Sequence, residues 1–196
     1  MGSIGSLVNH AERSSLSGVR VRDARTEELD ELARLLAEVY GAFRTHLPAD
    51  AWKRYIGEIV DVRGRLGESE LIVAEHAGRL IGTIGFYPDA AHSAIERWPH
   101  GWASIRTLGV RAEARRRGIG TALALECVRR AQARGARAIG LHTAAHMAAA
   151  TRLYERLGFR RAPGLDIEIG EMFTGRSLPP GESWQAQAYR LDLEEA

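Results

Sequence analysis

The stretch that most constrains this chain runs Val110-Arg111-Ala112-Glu113-Ala114-Arg115-Arg116-Arg117-Gly118-Ile119-Gly120-Thr121. An apolar run, Ile105 to Val110, leads into it, and a helical pattern, Thr121 to Arg134, leads out. A strand, a glycine-bearing turn and a helix N-terminus together make an anion cradle. The first N–H groups of the helix have no intrahelical partner, and the helix dipole adds partial positive charge. Gly118 and Gly120 carry no side chain, so a phosphate can approach the backbone closely. Three consecutive arginines stand beside the turn. The pattern predicts a phosphate-binding site.

Two common phosphate loops fit poorly. A P-loop needs Lys-Ser/Thr after its glycines, and Gly118-Ile119-Gly120-Thr121 has no lysine; Lys53 is the only lysine in the chain. A dinucleotide fingerprint needs a third glycine, but position 123 is Leu, and the turn lies mid-chain. Scarcity of lysine also argues against Schiff-base chemistry.

The flanking pattern is that of one α/β domain over residues 18–196, after a Gly/Ser-containing tail over residues 1–17 that reads as flexible. Gly18 to Arg22 alternates as a strand. Thr26 is placed to cap a helix whose apolar positions are Leu29, Leu32, Leu35, Leu36 and Val39. Pro48 to Leu66 reads as a second helix, with Trp52, Tyr55, Ile56, Ile59 and Val60 inward. Glu70 to Glu75 and Leu80 to Tyr87 form a hairpin about His76-Ala77-Gly78-Arg79; Ala90 to His100 is a connection, and Trp102 to Val110 the next strand. A helix over 119–134, closed by Gly135, precedes a strand from Ala136 to Thr143 and a short helix from Met147 to Leu157. Phe159 to Ile169 is a strand interrupted at Pro163-Gly164, Gly170 to Ser183 a loop of lid-like length, and Gln187 to Leu193 a last strand.

A net charge of +2 is too small to imply nucleic acid. No apolar run reaches the roughly 20 residues of a membrane span, and the N-terminus lacks the basic and apolar regions of a signal peptide. Cys127 is the single cysteine, mid-helix among apolar residues, which reads as a structural thiol in a reducing, cytoplasmic setting.

Arg115-Arg116-Arg117-Gly118-Ile119-Gly120 resembles the Arg/Gln-x-x-Gly-x-Gly/Ala signature of the GCN5-related N-acetyltransferases. Downstream, Leu153-Tyr154-Glu155-Arg156-Leu157-Gly158-Phe159 resembles the second motif of that family, in the right order and at about the usual separation. The similarity covers roughly residues 19 to 193. It implies a mostly antiparallel, twisted mixed sheet of about seven strands, splayed between strands 4 and 5 and flanked by about four helices. It also implies acetyl-CoA as co-substrate and no metal. The donor's pyrophosphate would then lie on the N–H groups of Arg116, Gly118, Gly120 and Thr121 around Ile119, with Arg115 and Arg116 side chains near the phosphates. The pantetheine arm would pair with backbone groups of Leu108 and Val110, which requires strands 4 and 5 to splay apart; a bulge near Thr107-Leu108-Gly109 would do this, and a glycine at 109 fits one.

The implied chemistry is direct attack of an amine on the thioester, with Tyr154 as general acid to the sulfur. Many family members place a basic glutamate on the fourth strand; here that position is Arg106, which cannot take a proton. Such a cation could bind an acidic substrate or form an ion pair with Glu96 or Glu113. His142, then His146 and, through water, His100 are the candidate bases, because an ordinary imidazole titrates near neutrality. Met147 stands where asparagine is frequent.

The expected acceptor is a small-molecule amine, recognised by the segments least like the family, which hold Tyr40, Phe43, Trp52, Tyr55, Trp98, Trp102, Phe173 and Trp184. A protein N-terminus or lysine is the alternative acceptor, and a non-catalytic acyl-CoA-binding domain the alternative function. Dimers are common in similar proteins, and the strand Gln187–Leu193 could pair across an interface or only within its own sheet.

Overall fold

A computed structural model describes residues 16–92, 98–176 and 184–193. Most of the tail expected over residues 1–17 lies outside the described residues; Leu16 packs against the core. Strand β1 (Val19–Asp23) leads to helix α1 (Leu29–Gly41), whose buried stripe is Leu29, Leu32, Leu35, Leu36, Val39 and Tyr40. Thr26 does not cap α1. It opens a single 3-10 turn in which the Glu28 carboxylate reaches back to accept the Arg25 N–H at 2.8 Å.

Helix α2 (Ala49–Val60) stops well short of the expected Leu66. Arg65 folds back and donates to the Glu58 and Ile59 carbonyls at 2.7 and 3.0 Å, so the last turn is satisfied by a side chain. The Asp61 carboxylate accepts the Gly64 N–H at 2.9 Å and bends the chain away.

Strands β2 (Glu70–His76) and β3 (Arg79–Tyr87) form the expected hairpin, followed by β4 (Trp102–Val110), α3 (Ile119–Ala133), β5 (Ala138–Thr143) and α4 (Ala148–Arg156). The strand expected from Phe159 to Ile169 is split into β6 (Arg160–Arg161) and β7 (Ile167–Glu168) by a 3-10 turn at Pro163–Leu165. Proline has no N–H to give a ladder. Part of the expected loop, Gly170–Thr174, is instead a short helix, α5; residues 177–183 lie outside the described residues. Strand β8 (Gln185–Asp192) closes the sheet.

The strand order is β1-β2-β3-β4-β5-β8-β6, with β7 also on β8; every pair is antiparallel except β4–β5. One face carries α3 and α4, the other α1 and α2. Alternation along β2 shows why: Ile72 and Ala74 join the cluster under α3, while Leu71 and Val73 join the cluster under α1. This is the mixed architecture expected, with eight strands because the interrupted one counts twice. The last strand is paired on both edges within its own sheet.

The feature that positions the site is where β4 and β5 part. Their parallel register runs from Trp102↔Ala138 to Ile105↔Leu141 and goes no further. On the other side of β4, Thr83 faces Gly109 but Gly85 faces Arg106, so β4 carries one extra residue. Thr107 takes the left-handed conformation there, φ 52°, at a strain of about 1–3 kcal/mol for a residue of this kind. The bulge is where it was expected, but Gly109 is not its left-handed residue. A Cβ on Gly109 would meet Leu36 at 3.3 Å and Leu35 at 3.5 Å, so the missing side chain lets α1 lie close on the sheet.

Candidate active site

Past Ile105 and Leu141 the two strands diverge, and a cavity of about 720 Å³ opens between them. That volume lies within the usual range of roughly 300–1,000 Å³ for small-molecule sites. Leu108, Val110, Arg115, Arg116, Gly118, Ile119, Gly120, Thr121, His142 and Tyr154 all line it. Residues far apart in the chain are thus brought to one cleft, with β4 as one wall and α4 as the other.

The glycine turn has the geometry of an anion cradle. Arg116 and Gly118 both have left-handed backbones, φ 60° and 79°. Alternating such residues turns successive N–H groups toward one side. Helix α3 starts at Ile119 with no side chain capping it, so its first-turn N–H groups remain available to a ligand, and residues 115–118 are exposed. Gly120 has a second role: a Cβ there would stand 3.0 Å from Leu153 Cδ1 and 3.8 Å from Leu108 Cδ2. The cleft narrows at this point, and a side chain larger than a methyl would fill it.

Two carbonyls expected to meet the pantetheine arm already accept a donor. Tyr40 Oη donates to the Leu108 carbonyl at 3.3 Å, and Arg115 Nε to the Val110 carbonyl at 3.1 Å. Each oxygen keeps a second lone pair. Arg115 therefore spends part of its donor set on the protein backbone. Burial pushes the Tyr40 phenol up to about 12, so it is a neutral donor at physiological pH.

Tyr154 is buried, its ring packed 5.5 Å from Phe159 while it borders the cavity. His142 stands one residue past the end of the β4–β5 ladder. Its Nε2 lies 2.8 Å from the Leu165 carbonyl, and since a carbonyl only accepts, Nε2 is the donor there, while Nδ1 is buried away from the cleft. The Trp98 ring lies 4.5 Å away and fixes the imidazole plane. His146 also lines the cleft and stacks on His46, centroids 4.5 Å apart and nearly parallel at 8°, with Phe43 at 5.4 Å. Burial, then the nearby His46, holds the His146 imidazole below its ordinary range. His100 is exposed and does not line the cavity.

Arg106 borders the cavity, and among the described residues its ion pair is with a residue the sequence did not single out. Glu58 of α2 holds it at 3.3 Å, and the Tyr87 ring lies 5.5 Å from its guanidinium carbon. Glu113 pairs with Arg79 instead, at 3.2 Å, and Glu96 lies outside the described residues. The reason is topological: Arg106 precedes the bulge and projects toward α2, whereas Glu113 follows β4 beside the hairpin turn.

Of the aromatic residues considered for the acceptor, only Tyr40 and Phe43 border the cavity. Trp98 and Trp102 are buried and stacked at 5.8 Å in a separate small cluster, and Tyr55 meets Phe173 edge-on at 5.3 Å. Sequence reasoning missed Glu58, His46 and Thr143. The Thr143 hydroxyl is buried beside the cavity with no hydrogen-bond partner among the described residues. It also missed Arg152 and Arg156, whose i, i+4 spacing on the helical pattern was the available signal. Among the described residues no group of three or more His, Cys, Asp or Glu is gathered as a metal site would require, and no helix is long and apolar enough to cross a membrane.

Solved structures share this architecture. The PaiA N-acetyltransferase from Thermoplasma acidophilum, solved in complex with coenzyme A, has a TM-score of 0.64 at 15% identity over 89% of this chain and 99% of that one. A GCN5-related N-acetyltransferase from Kribbella flavida gives 0.62 at 22% identity, covering 91% and 100%. The ribosomal-protein-S18-alanine N-acetyltransferase from Escherichia coli gives 0.58 at 15%, covering 91% and 96%. These likenesses define the class of fold. No curated protein matches the chain significantly. The acetyltransferase (GNAT) family model matches residues 29–159, which span α1 to the end of the second motif. The chain belongs to the GNAT acetyltransferase family.

Proposed function

We propose that this protein is an acetyl-CoA-dependent N-acetyltransferase acting on a small-molecule amine. The observation that carries the reading is the continuity of one cleft from the β4–β5 splay to the uncapped, exposed N-terminus of α3. A thioester at the splay and a pyrophosphate on the helix would both be served by it. The left-handed pair Arg116 and Gly118 and the bare Gly120 fit that donor.

Bound acetyl-CoA supplies the acyl group: the amine nitrogen forms a C–N bond to the thioester carbonyl as the C–S bond breaks and its electron pair leaves on sulfur. The Tyr154 hydroxyl donates a proton to that sulfur. His142 has Nε2 on the Leu165 carbonyl and Nδ1 buried, so His146, which lines the cleft and whose imidazole is held below its ordinary range, is the base better placed to take the proton the nitrogen loses. Holding both partners in line provides much of the rate. Support for a small acceptor comes from the His46–His146 stack, which ties the α1–α2 connection to the β5–α4 loop beside the cleft. The buried Cys127, its thiol pushed up by burial, accords with a reducing, cytoplasmic setting.

The test is release of free thiol from acetyl-CoA with a broad panel of amines. Amine-dependent release establishes the transferase. Binding of acetyl-CoA with no release from any amine supports instead a non-catalytic acyl-CoA-binding domain, the reading that Arg106 at the usual glutamate position favours.

A further inference from the structure

Three buried hydroxyl groups of this fold are spent on backbone carbonyls: Thr83 donates to Ile72 at 3.0 Å, Ser69 to Arg65 at 2.9 Å and Thr174 to Gly170 at 2.8 Å. Thr143 is different. It is 5% exposed, and among the described residues its Oγ1 has no hydrogen-bond partner. Ser104 shares that condition, but it stands in the paired part of β4 opposite Gly140 and does not border the cleft. Thr143 does border it.

The strand register explains why. Ile105↔Leu141 is the last β4–β5 pair, and the same register continued two residues further would set Thr143 opposite Thr107. Facing threonines are an ordinary hydrogen-bonded cross-strand pair. Here the β4 bulge gives Thr107 its left-handed backbone and the strands part, so both threonines line the cleft that opens between them. On its other edge β5 stays paired, with Thr143 opposite Gln187 of β8. The splay thus removes the neighbour of Thr143 while the strand that carries it stays fixed.

Alternation along β5 sets the direction of the hydroxyl. Ile139 and Leu141 join the cluster under α3 that also holds Tyr154, whereas His142 packs on Trp98 at the opposite face. Thr143 has the parity of Ile139 and Leu141, so it belongs to the face that carries α3 and α4. A hydroxyl can both give and accept a hydrogen bond, and burying it with neither made opposes folding. The arrangement suits a polar group that arrives with a ligand.

On the acetyltransferase reading above, we infer that Thr143 is a donor-binding residue: its hydroxyl makes with the thioester-bearing end of the pantetheine arm, at its amide or its acyl carbonyl, the hydrogen bond that β4 does not offer it. It makes and breaks no covalent bond; it holds the arm in the splay.

Calorimetry with coenzyme A and with acetyl-CoA, on the wild type, Thr143→Val and Thr143→Ser, tests this. Valine keeps the branched shape that suits a strand and deletes the hydroxyl. The expected result is a Kd about tenfold higher in Thr143→Val and near wild type in Thr143→Ser. The ligand-free melting temperature of the valine variant should equal or exceed that of the wild type, because an unpaired buried hydroxyl is replaced by a methyl. A loss with both ligands places the bond on the amide of the arm; a loss with acetyl-CoA alone places it on the acyl carbonyl. Unchanged affinity in the valine variant, or a loss that serine shares, overturns the inference. So does a lower ligand-free melting temperature of the valine variant, which would show the hydroxyl already spent within the fold. An unchanged donor Kd with a raised KM for the amine overturns it as well and moves the hydroxyl to the acceptor. These outcomes leave the acetyltransferase reading standing, whereas wild-type protein that binds neither coenzyme A nor acetyl-CoA overturns both.

Discussion

Leu153 Cδ1 lies 3.0 Å from where a Cβ on Gly120 would stand, so the first turn of α3 and the middle of α4 meet across the cleft at a position with room for a methyl at most. The contact joins the two sequence motifs, one at the glycine turn and one around Tyr154, in a single wall. It also sets the first prediction. Gly120→Glu fills this point and adds negative charge beside an anion cradle. Coenzyme A affinity should fall at least about 100-fold, roughly 2.7 kcal/mol, by calorimetry. Gly120→Ala needs only a small shift of a flexible Leu153 methyl and should keep most of the affinity. Unchanged affinity in the glutamate variant would remove the pyrophosphate from this turn.

Tyr154 offers a separation of packing from chemistry. Tyr154→Phe preserves the ring contact with Phe159 at 5.5 Å and deletes only the hydroxyl. The melting temperature and acetyl-CoA affinity should stay nearly constant, while kcat drops by about 10²–10⁴ if the hydroxyl is the general acid. Equal turnover would leave Tyr154 a packing residue.

The His46–His146 stack predicts a pH dependence with a definite sign. Burial and the neighbouring His46 lower the His146 pKa in the folded state, so the unfolded chain takes up a proton first as pH falls. Its contribution to stability is fully present above the ordinary histidine pKa of about 6.5 and is lost as pH falls through and below it. His46→Ala removes one cause and should move the His146 titration, followed by NMR, up toward its ordinary value. A titration that stays put would assign the depression to burial alone.

Arg22, Glu28 and Glu75 form a half-buried cluster between β1, β2 and the turn before α1, with Arg22 Nη2 2.6 Å from Glu28 Oε1. The Arg22 hydrogen bond holds the Glu28 carboxyl down at about 2. A depressed carboxylate stabilises the fold above its ordinary pKa and loses that contribution as pH falls toward about 2. Glu28→Gln should therefore destabilise at neutral pH by roughly 1.5–3 kcal/mol and flatten the acid side of the stability profile. Parallel profiles for the two proteins, in melting experiments from pH 7 down to pH 2.5, would show that the pair contributes nothing to folding.

What was legible in the sequence was what local chemistry encodes. The helical stripes of α1 and α3, the hairpin at Ala77-Gly78 and the strand–turn–helix about Gly118 depend on neighbours within a few positions, and the chain carries those signals openly. The two motifs also named the cleft-lining residues from Leu108 to Thr121 and Tyr154, because their spacing presupposes one architecture.

What the tertiary structure decided was which distant groups meet. Arg106 pairs with Glu58, His146 stacks on His46, and Trp98 is buried against His142 rather than facing the cleft. Each contact spans separate elements, so no periodicity or turn signal could specify it. The position of Arg106 before a one-residue bulge turned it toward α2. The same bulge put the left-handed strain on Thr107 instead of Gly109, because the glycine was needed where Leu35 and Leu36 press on the sheet. The sequence by itself determined the α/β fold and its anion cradle, since both follow from local backbone and side-chain preferences. Only close packing, which allows one arrangement of α1, α2 and the splayed strands, decided the charge and shape of the wall at the other end of the cleft.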